Sequence, residues 1–188
     1  LVDRFEGKRL NRPNDVVCKS DGSIYFTDPG LRVPLAEREL TYAGVYRIAP
    51  DGTVGLVADF EYPNGLAFSP DERLLYVANT RWAQYIHALD LDAGGNMVRR
   101  RIFADMSSDE TDGVPDGMKC DVEGNVWCTG PGGIFAHDPT GKVLARIKTP
   151  GHHPTNFAWG DDDWRSMYIT NIGSVVRIRL NIAGVPSR

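Results

Sequence analysis

Residues 13–28 read Pro13-Asn14-Asp15-Val16-Val17-Cys18-Lys19-Ser20-Asp21-Gly22-Ser23-Ile24-Tyr25-Phe26-Thr27-Asp28, and the chain repeats this phrase. Pro63-Asn64-Gly65-Leu66-Ala67 leads through Pro70-Asp71-Glu72 to Leu74-Leu75-Tyr76-Val77-Ala78-Asn79. Pro115-Asp116-Gly117-Met118-Lys119 leads through Glu123-Gly124 to Asn125-Val126-Trp127-Cys128-Thr129-Gly130. A worn copy starts at Pro154-Thr155-Asn156-Phe157-Ala158, turns at Asp161-Asp162-Asp163 and continues as Ser166-Met167-Tyr168-Ile169-Thr170-Asn171. The anchors Asn14, Asn64, Asp116 and Asn156 recur at the roughly 40–50-residue period of a four-stranded propeller blade.

Each copy reads as a hairpin: an alternating segment, a two-residue turn of an acidic residue and Gly, then a β-branched or aromatic run. A third strand follows at 44–48, 86–90 or 133–137, and a fourth at 54–58 or 142–147. Sustained helical periodicity is almost lacking. The exception is Pro34–Leu40, read as a short helical turn in an excursion between strands. The fold class is therefore all-β, a β-propeller of about four blades. The count allows a small four-bladed ring or part of a larger one.

Composition bounds the function. The chain has 188 residues, 41% of them hydrophobic, with 7 Phe, 7 Tyr and 4 Trp. That is enough for a core and argues against disorder. No apolar run approaches the ~20 residues of a membrane span, so no membrane partner is expected. A net charge of −4 and the lack of a basic stripe disfavour nucleic acid. Arg99-Arg100-Arg101, the densest basic run, reads as an edge strand or loop. Three cysteines without C-x-x-C spacing indicate neither a disulfide framework nor zinc. Cys18 and Cys120 hold equivalent repeat positions and read as inner-strand packing residues. Cys120 and Cys128, equidistant from Gly124, could face each other across a hairpin, but a disulfide there is not favoured.

The chemistry resides in the residue after each leading proline: Asn14, Asn64 and Asp116. In a propeller these positions start the innermost strands and converge on the channel. Amide and carboxylate oxygens are ligands for hard cations such as Ca²⁺ or Mg²⁺. One carboxylate and two amides leave a divalent ion net positive and able to act as a Lewis acid. Pro-Asn and Pro-Asp are also ordinary turn formers before a strand. Three copies in one register favour the shared site. His152-His153 reads as a loop at a blade entrance, because strand neighbours point to opposite sides. His87 and His137 read as structural residues on third strands. There is no G-x-S-x-G nucleophile elbow and no phosphate-binding glycine motif; Gly130-Pro131-Gly132-Gly133 is a strand-to-strand turn.

The phrases Arg12-Pro13-Asn14-Asp15-Val16, Pro63-Asn64-Gly65-Leu66-Ala67-Phe68-Ser69-Pro70-Asp71, Pro115-Asp116-Gly117-Met118-Lys119, Trp127–Gly133 and Tyr168-Ile169-Thr170-Asn171 resemble the gluconolactonase / senescence marker protein (regucalcin) family. The resemblance covers nearly the whole chain. It implies a six-bladed propeller with a divalent metal in its channel, usually calcium, or another cation such as Zn²⁺, Mg²⁺ or Mn²⁺. It implies a hydrolase of sugar lactones such as gluconolactone, a carboxylic ester hydrolase (EC 3.1.1) in which water attacks a metal-polarised carbonyl. Asn64 and Asp116 match the family's metal-ligand Asn and Asp. Asn14 matches the Asn close to metal and substrate, and Arg12 a position that contacts sugar. Asp116 is then the expected general base, Asn14, Asn64 and Asp116 the metal set, and Arg12 with Asn14 the substrate contacts.

The family's remaining metal ligand is a Glu in the first blade, and Glu6 does not lie in that motif. The start of the chain matches the approach to the second blade, which implies that residues 1–188 form an incomplete propeller domain lacking the first blade or more. An open ring would expose strand edges and invite pairing with another chain, as a homo-oligomer. The alternative is a non-catalytic or truncated propeller that binds a small molecule or a protein. Substrate choice is expected from the loops 31–44 and 107–113. The compartment is left open between cytoplasm and periplasm, for a soluble protein.

Overall fold

The computed structural model describes residues 1–108, 113–149 and 153–186. The chain opens with a hairpin, β1 (Arg4–Phe5) and β2 (Lys8–Arg9). Blade I follows as β3 (Val16–Cys18), β4 (Ile24–Asp28), β5 (Ala43–Ile48) and β6 (Val54–Phe60). Blade II is β7 (Pro63–Phe68), β8 (Leu74–Asn79), β9 (Tyr85–Leu91) and β10 (Met97–Asp105). Blade III is β11 (Met118–Cys120), β12 (Val126–Gly130), β13 (Gly133–His137) and β14 (Val143–Ile147). Blade IV has three strands, β15 (Pro154–Gly160), β16 (Ser166–Asn171) and β17 (Ser174–Arg179). Every blade is an antiparallel meander in sequence order, so the four repeats are four blades of a propeller. The expected helical turn is a 3-10 turn, Leu35–Glu37. Among the described residues no helix is long and apolar enough to cross a membrane.

Alternation along the strands gives each blade two apolar faces, and the cores lie between blades. Tyr25, Val45 and Phe60 of blade I meet Leu66, Leu75 and Leu89 of blade II. Tyr76, Ile86 and Phe103 of blade II meet Met118, Val126 and Cys128 of blade III. Trp127 and Ile134 of blade III meet Phe157, Trp159 and Met167 of blade IV, the two indoles edge to face at 5.6 Å. The N-terminal hairpin covers the other face of blade I, with Phe5 edge-on to Tyr46 at 5.2 Å. Such burial drives one blade against the next.

In blades I and III the hairpin turns are one residue longer than the sequence reading expected, and in blade II Ser69 and Leu74 enclose four residues with Glu72 at φ 57. Gly22 N–H donates to Lys19 O (3.0 Å) and Lys19 N–H to Ser23 O (2.8 Å). Gly22 is left-handed, at φ 88. This is a three-residue loop closed by a bulge. Asp21 caps it by accepting from Ser23 N–H at 2.8 Å, and Asp121 does the same for Glu123 N–H at 3.0 Å. Both turn types need a glycine at positive φ, so the acidic-Gly signal reads alike for either.

The arginine run lies on the outermost strand of blade II, where Arg99 and Arg101 pair with Asp90 and Arg100 covers the Phe60 ring. His87 and His137 are buried among aromatic rings, in keeping with structural roles. Cys120 pairs with Val126, and Cys128 with Met118; all three cysteines are free thiols. Cys18 departs from its expected packing role. It is exposed, because β3 borders an open cavity of about 240 Å³ lined also by β7, β11 and Val185-Pro186.

Candidate active site

The innermost strands β3, β7, β11 and β15 stand side by side, and their register sets four matching rows. Val16 pairs with Phe26, Leu66 with Val77, Met118 with Cys128 and Phe157 with Ile169. Two residues upstream of these lie Asn14, Asn64, Asp116 and Thr155. The fourth member is thus Thr155, which corrects the sequence anchor Asn156. Thr155 directly follows the leading Pro154, as Asn14, Asn64 and Asp116 follow Pro13, Pro63 and Pro115, and the register shift between Pro154 and Asn156 has its counterpart between Pro63 and Leu66. Asn156 falls in the next row, with Asp15, Gly65 and Gly117.

Interblade hydrogen bonds lock the upper row. Thr27 Oγ1 donates to Asn64 O at 2.9 Å. Leu66 N–H donates to Asp15 Oδ2 at 2.9 Å, and Gly117 N–H to Thr155 O at 3.0 Å. Gly65 permits the closest approach: a Cβ there would lie 1.9 Å from the Asp116 carbonyl oxygen.

Asn14, Asn64 and Asp116 meet within this frame. Asn14 Nδ2 donates to Asn64 Oδ1 at 2.5 Å. Asn64 Nδ2 donates to Thr80 Oγ1 at 2.9 Å, and Thr80 Oγ1 donates to Pro115 O at 2.7 Å. A hydroxyl has one proton, and Thr80 gives it to Pro115. It must therefore accept from Asn64, which turns the Asn64 Oδ1 toward Asn14. The side chain of Asn64 also acts on the Asp116 carboxyl, favouring its ionised form. Three side chains from three blades thus form one polar cluster, grading from exposed Asn14 to half-buried Asn64 and Asp116.

The Asp116 carboxyl is pushed up to about 6. Burial is the main cause and the nearby Asp15 charge adds to it, while the Asn64 side chain and Lys119 pull the other way. Beside the cluster, Arg12, Pro13, Asn14, Leu31 and Arg32 line a cavity of about 230 Å³. Asp28 shapes the approach, accepting from Asn11 N–H (2.8 Å) and Arg12 N–H (2.5 Å). The Arg12 side chain is exposed over Leu31. Glu6, at φ 50, forms the exposed turn of the β1–β2 hairpin. Of the other expected positions, His152 and residues 109–112 of the second loop lie outside the described residues.

Thr80, Asp15 and Lys119 escaped the sequence reading as site residues, and Asn156 entered it only as the fourth anchor. The signal for Thr80 was its place directly after the run ending in Asn79. For Lys119 it was a lysine where the other copies carry Val17, Ala67 and Ala158.

The class these features define is a β-propeller with oxygen-bearing side chains gathered at one mouth of its channel. The family model described as SMP-30/Gluconolactonase/LRE-like region matches residues 1–173, and the chain belongs to that family. The gluconolactonase of Zymomonas mobilis is 36% identical over 195 residues, covering 98% of this chain and 54% of its own length. The pentonolactonase of Haloferax volcanii is 32% identical over 181 residues, covering 91% of this chain and 58% of its own. A solved gluconolactonase of Xanthomonas campestris superimposes with a TM-score of 0.81 at 42% identity, over 91% of this chain and 58% of its own. The chain spans a little over half the length of these relatives.

Proposed function

We propose that this chain carries the active-site cluster of a metal-dependent lactone hydrolase acting on sugar lactones of the gluconolactone type. The observation that supports it most is the convergence of Asn14, Asn64 and Asp116 from three blades into one polar cluster. Membership of a family with gluconolactonase and pentonolactonase relatives supports the substrate class.

The donor set fits a hard divalent cation. All three side chains offer oxygen, and the half-buried Asp116 carboxyl is pushed up to about 6, a burden that a positive ion beside it relieves. Among the described residues no three His, Cys, Asp or Glu converge as a metal set, so a softer ion suited to nitrogen or sulfur has less to bind. Asn14, Asn64 and Asp116 would hold the cation, calcium by this donor chemistry. It would supply Lewis acidity toward the lactone carbonyl.

The chain's own residues do the rest. Asp116 is the general base that takes a proton from the attacking water. Asn64, fixed by Thr80, holds the Asp116 carboxyl in place. Arg12 and Asn14, at the rim cavity, bind and orient the hydroxyls of the sugar ring. Orientation of this kind accounts for a large share of catalytic rate.

The test is proton release from gluconolactone in weak buffer. Exhaustive chelation should abolish the protein-dependent rate, and readdition of Ca²⁺ should restore it. Asp116→Asn should lower turnover by at least about 100-fold. Full activity after chelation removes the cation from the reading, and wild-type turnover in Asp116→Asn removes the base.

A further inference from the structure

The third row below the cluster holds Val17, Ala67, Lys119 and Ala158. Their cross-strand partners are Tyr25, Tyr76, Trp127 and Tyr168. Three blades place an apolar side chain against an aromatic ring there, and blade III places a lysine. Its neighbour Met118 is fully buried between blades II and III, so strand alternation turns Lys119 toward blade IV.

The Lys119 ammonium is drawn into the channel wall. Nζ donates to Met118 O at 2.9 Å and to Asn156 Oδ1 at 3.4 Å, and lies 5.9 Å from the centre of the Phe157 ring. Asn156 Oδ1 in turn presses on Gly117, where a Cβ would meet it at 2.3 Å. One carboxamide therefore separates the ammonium from the residue next to Asp116. Two carboxylates act on it, Asp15 and Asp116, and burial lowers its proton affinity despite them. A lysine at a site that three other blades fill with Val or Ala costs desolvation, so its charge requires a use.

We propose that Lys119 is an electrostatic positioning residue: its fixed ammonium supplies part of the positive charge that Asp15 and Asp116 demand, and thereby sets how strongly the neighbouring oxygen cluster attracts a divalent cation. This rests on the reading of Asn14, Asn64 and Asp116 as a cation site. An ammonium beside the cluster repels an incoming ion through a medium of low effective dielectric. Its removal strengthens cation binding. A lysine that merely supported the packing would do the opposite, because its loss would loosen the cluster.

The experiment is calorimetric titration of the protein with CaCl₂ at pH 8, where the carboxyls are ionised. Wild type is compared with Lys119→Met and Lys119→Gln, each checked for native circular dichroism. Both variants should bind at least about tenfold tighter with unchanged stoichiometry, equivalent to about 1.4 kcal/mol. Asp15→Asn, which removes the balancing charge from the other side, should bind several-fold more weakly, and removing the lysine as well, in Asp15→Asn/Lys119→Met, should restore about wild-type affinity; that pair decides the matter should neither single lysine variant fold. Wild-type binding with equal or weaker affinity in the folded lysine variants overturns the role of Lys119 alone. So does undiminished binding by Asp15→Asn. No binding of Ca²⁺, Mg²⁺ or Mn²⁺ by any of the proteins overturns the cation site, and this inference with it.

Discussion

Thr80→Val tests the architecture of the cluster most directly, because valine keeps the shape of threonine and removes only the hydroxyl. That hydroxyl makes two hydrogen bonds, to Pro115 O at 2.7 Å and from Asn64 Nδ2 at 2.9 Å. Thr80 and Pro115 are both buried. The Pro115 carbonyl is then left without its donor, at about 1–3 kcal/mol. The Asn64 amide faces the channel, so its loss adds only about 0.5–1 kcal/mol. The expected destabilisation is about 2–3 kcal/mol, or about 5–10 °C in Tm for a chain of this size. The second consequence is orientational. With no acceptor at position 80, the Asn64 amide is free to turn its nitrogen toward Asn14. Calcium affinity and lactone turnover should each fall about tenfold. Urea denaturation with an unchanged slope, calorimetric titration and proton release measure the three effects, with Thr80→Ser as the control that retains the hydroxyl. A Thr80→Val protein melting within about 1 °C of wild type would refute the buried-carbonyl argument. One destabilised as expected but with wild-type calcium affinity and turnover would refute the orientational argument.

In the cation-free protein the Asp116 carboxyl, at about 6 folded against 3.8 ordinarily, binds its proton more tightly in the native state. Its contribution is fully present below pH ~4 and is lost as pH rises through ~6, by on the order of 2–3 kcal/mol. Asp116→Asn should therefore be more stable than wild type at pH 8 and gain little at pH 4, and a parallel pair of stability–pH curves would contradict this. Asp121 is fully buried and accepts from Trp127 Nε1 (2.8 Å), Asn125 Nδ2 (2.9 Å) and the N–H groups of Asn125 and Glu123. Asp121→Ala strands all four donors and should cost about 3 kcal/mol or more in urea denaturation. The loss should be far larger than for Asp138→Ala, at an exposed turn. Gly65→Ala should lower Tm more than Gly117→Ala. The first Cβ meets a backbone oxygen at 1.9 Å; the second meets a side-chain oxygen at 2.3 Å, which can turn aside, and the Asn156 Cα at 2.7 Å, a milder backbone clash.

Much of this was legible in the sequence. The repeat of Pro-Asn or Pro-Asp, a hairpin and two further strands fixed the blades, because alternation and turn chemistry are local properties. The convergence of Asn14, Asn64 and Asp116 followed from the topology alone. The fourth copy misled because its asparagine, Asn156, stands one place beyond the residue that follows the leading Pro154. Counting one place on from Pro154, as from Pro13, Pro63 and Pro115, gives Thr155, and the pairing of Phe157 with Ile169 agrees with it. Thr80 and Lys119 were hidden for a different reason. Each acts on a residue of another blade or another row, and no spacing along one strand records such a contact.

The rows explain how the proposed cation site would arise without a cluster of acidic or imidazole side chains. Around the channel the first row reads Asn14, Asn64, Asp116, Thr155; the second Asp15, Gly65, Gly117, Asn156; the third, leaving out the packed residues between, Val17, Ala67, Lys119, Ala158. The fold places equivalent backbone positions in a ring, and each row then carries a single charged residue. The carboxylates stand in the first two rows and the ammonium in the third, so their sum is one negative charge. A divalent ion among neutral amides would leave that group with one net positive charge facing the channel mouth. Arg12 and Asn14 line the cavity beside it, where the proposed oxygen-rich substrate would meet the positive field first. Moving either carboxylate to another blade would keep the composition and lose the site. The pattern therefore depends on which blade carries each charge as much as on the residues themselves.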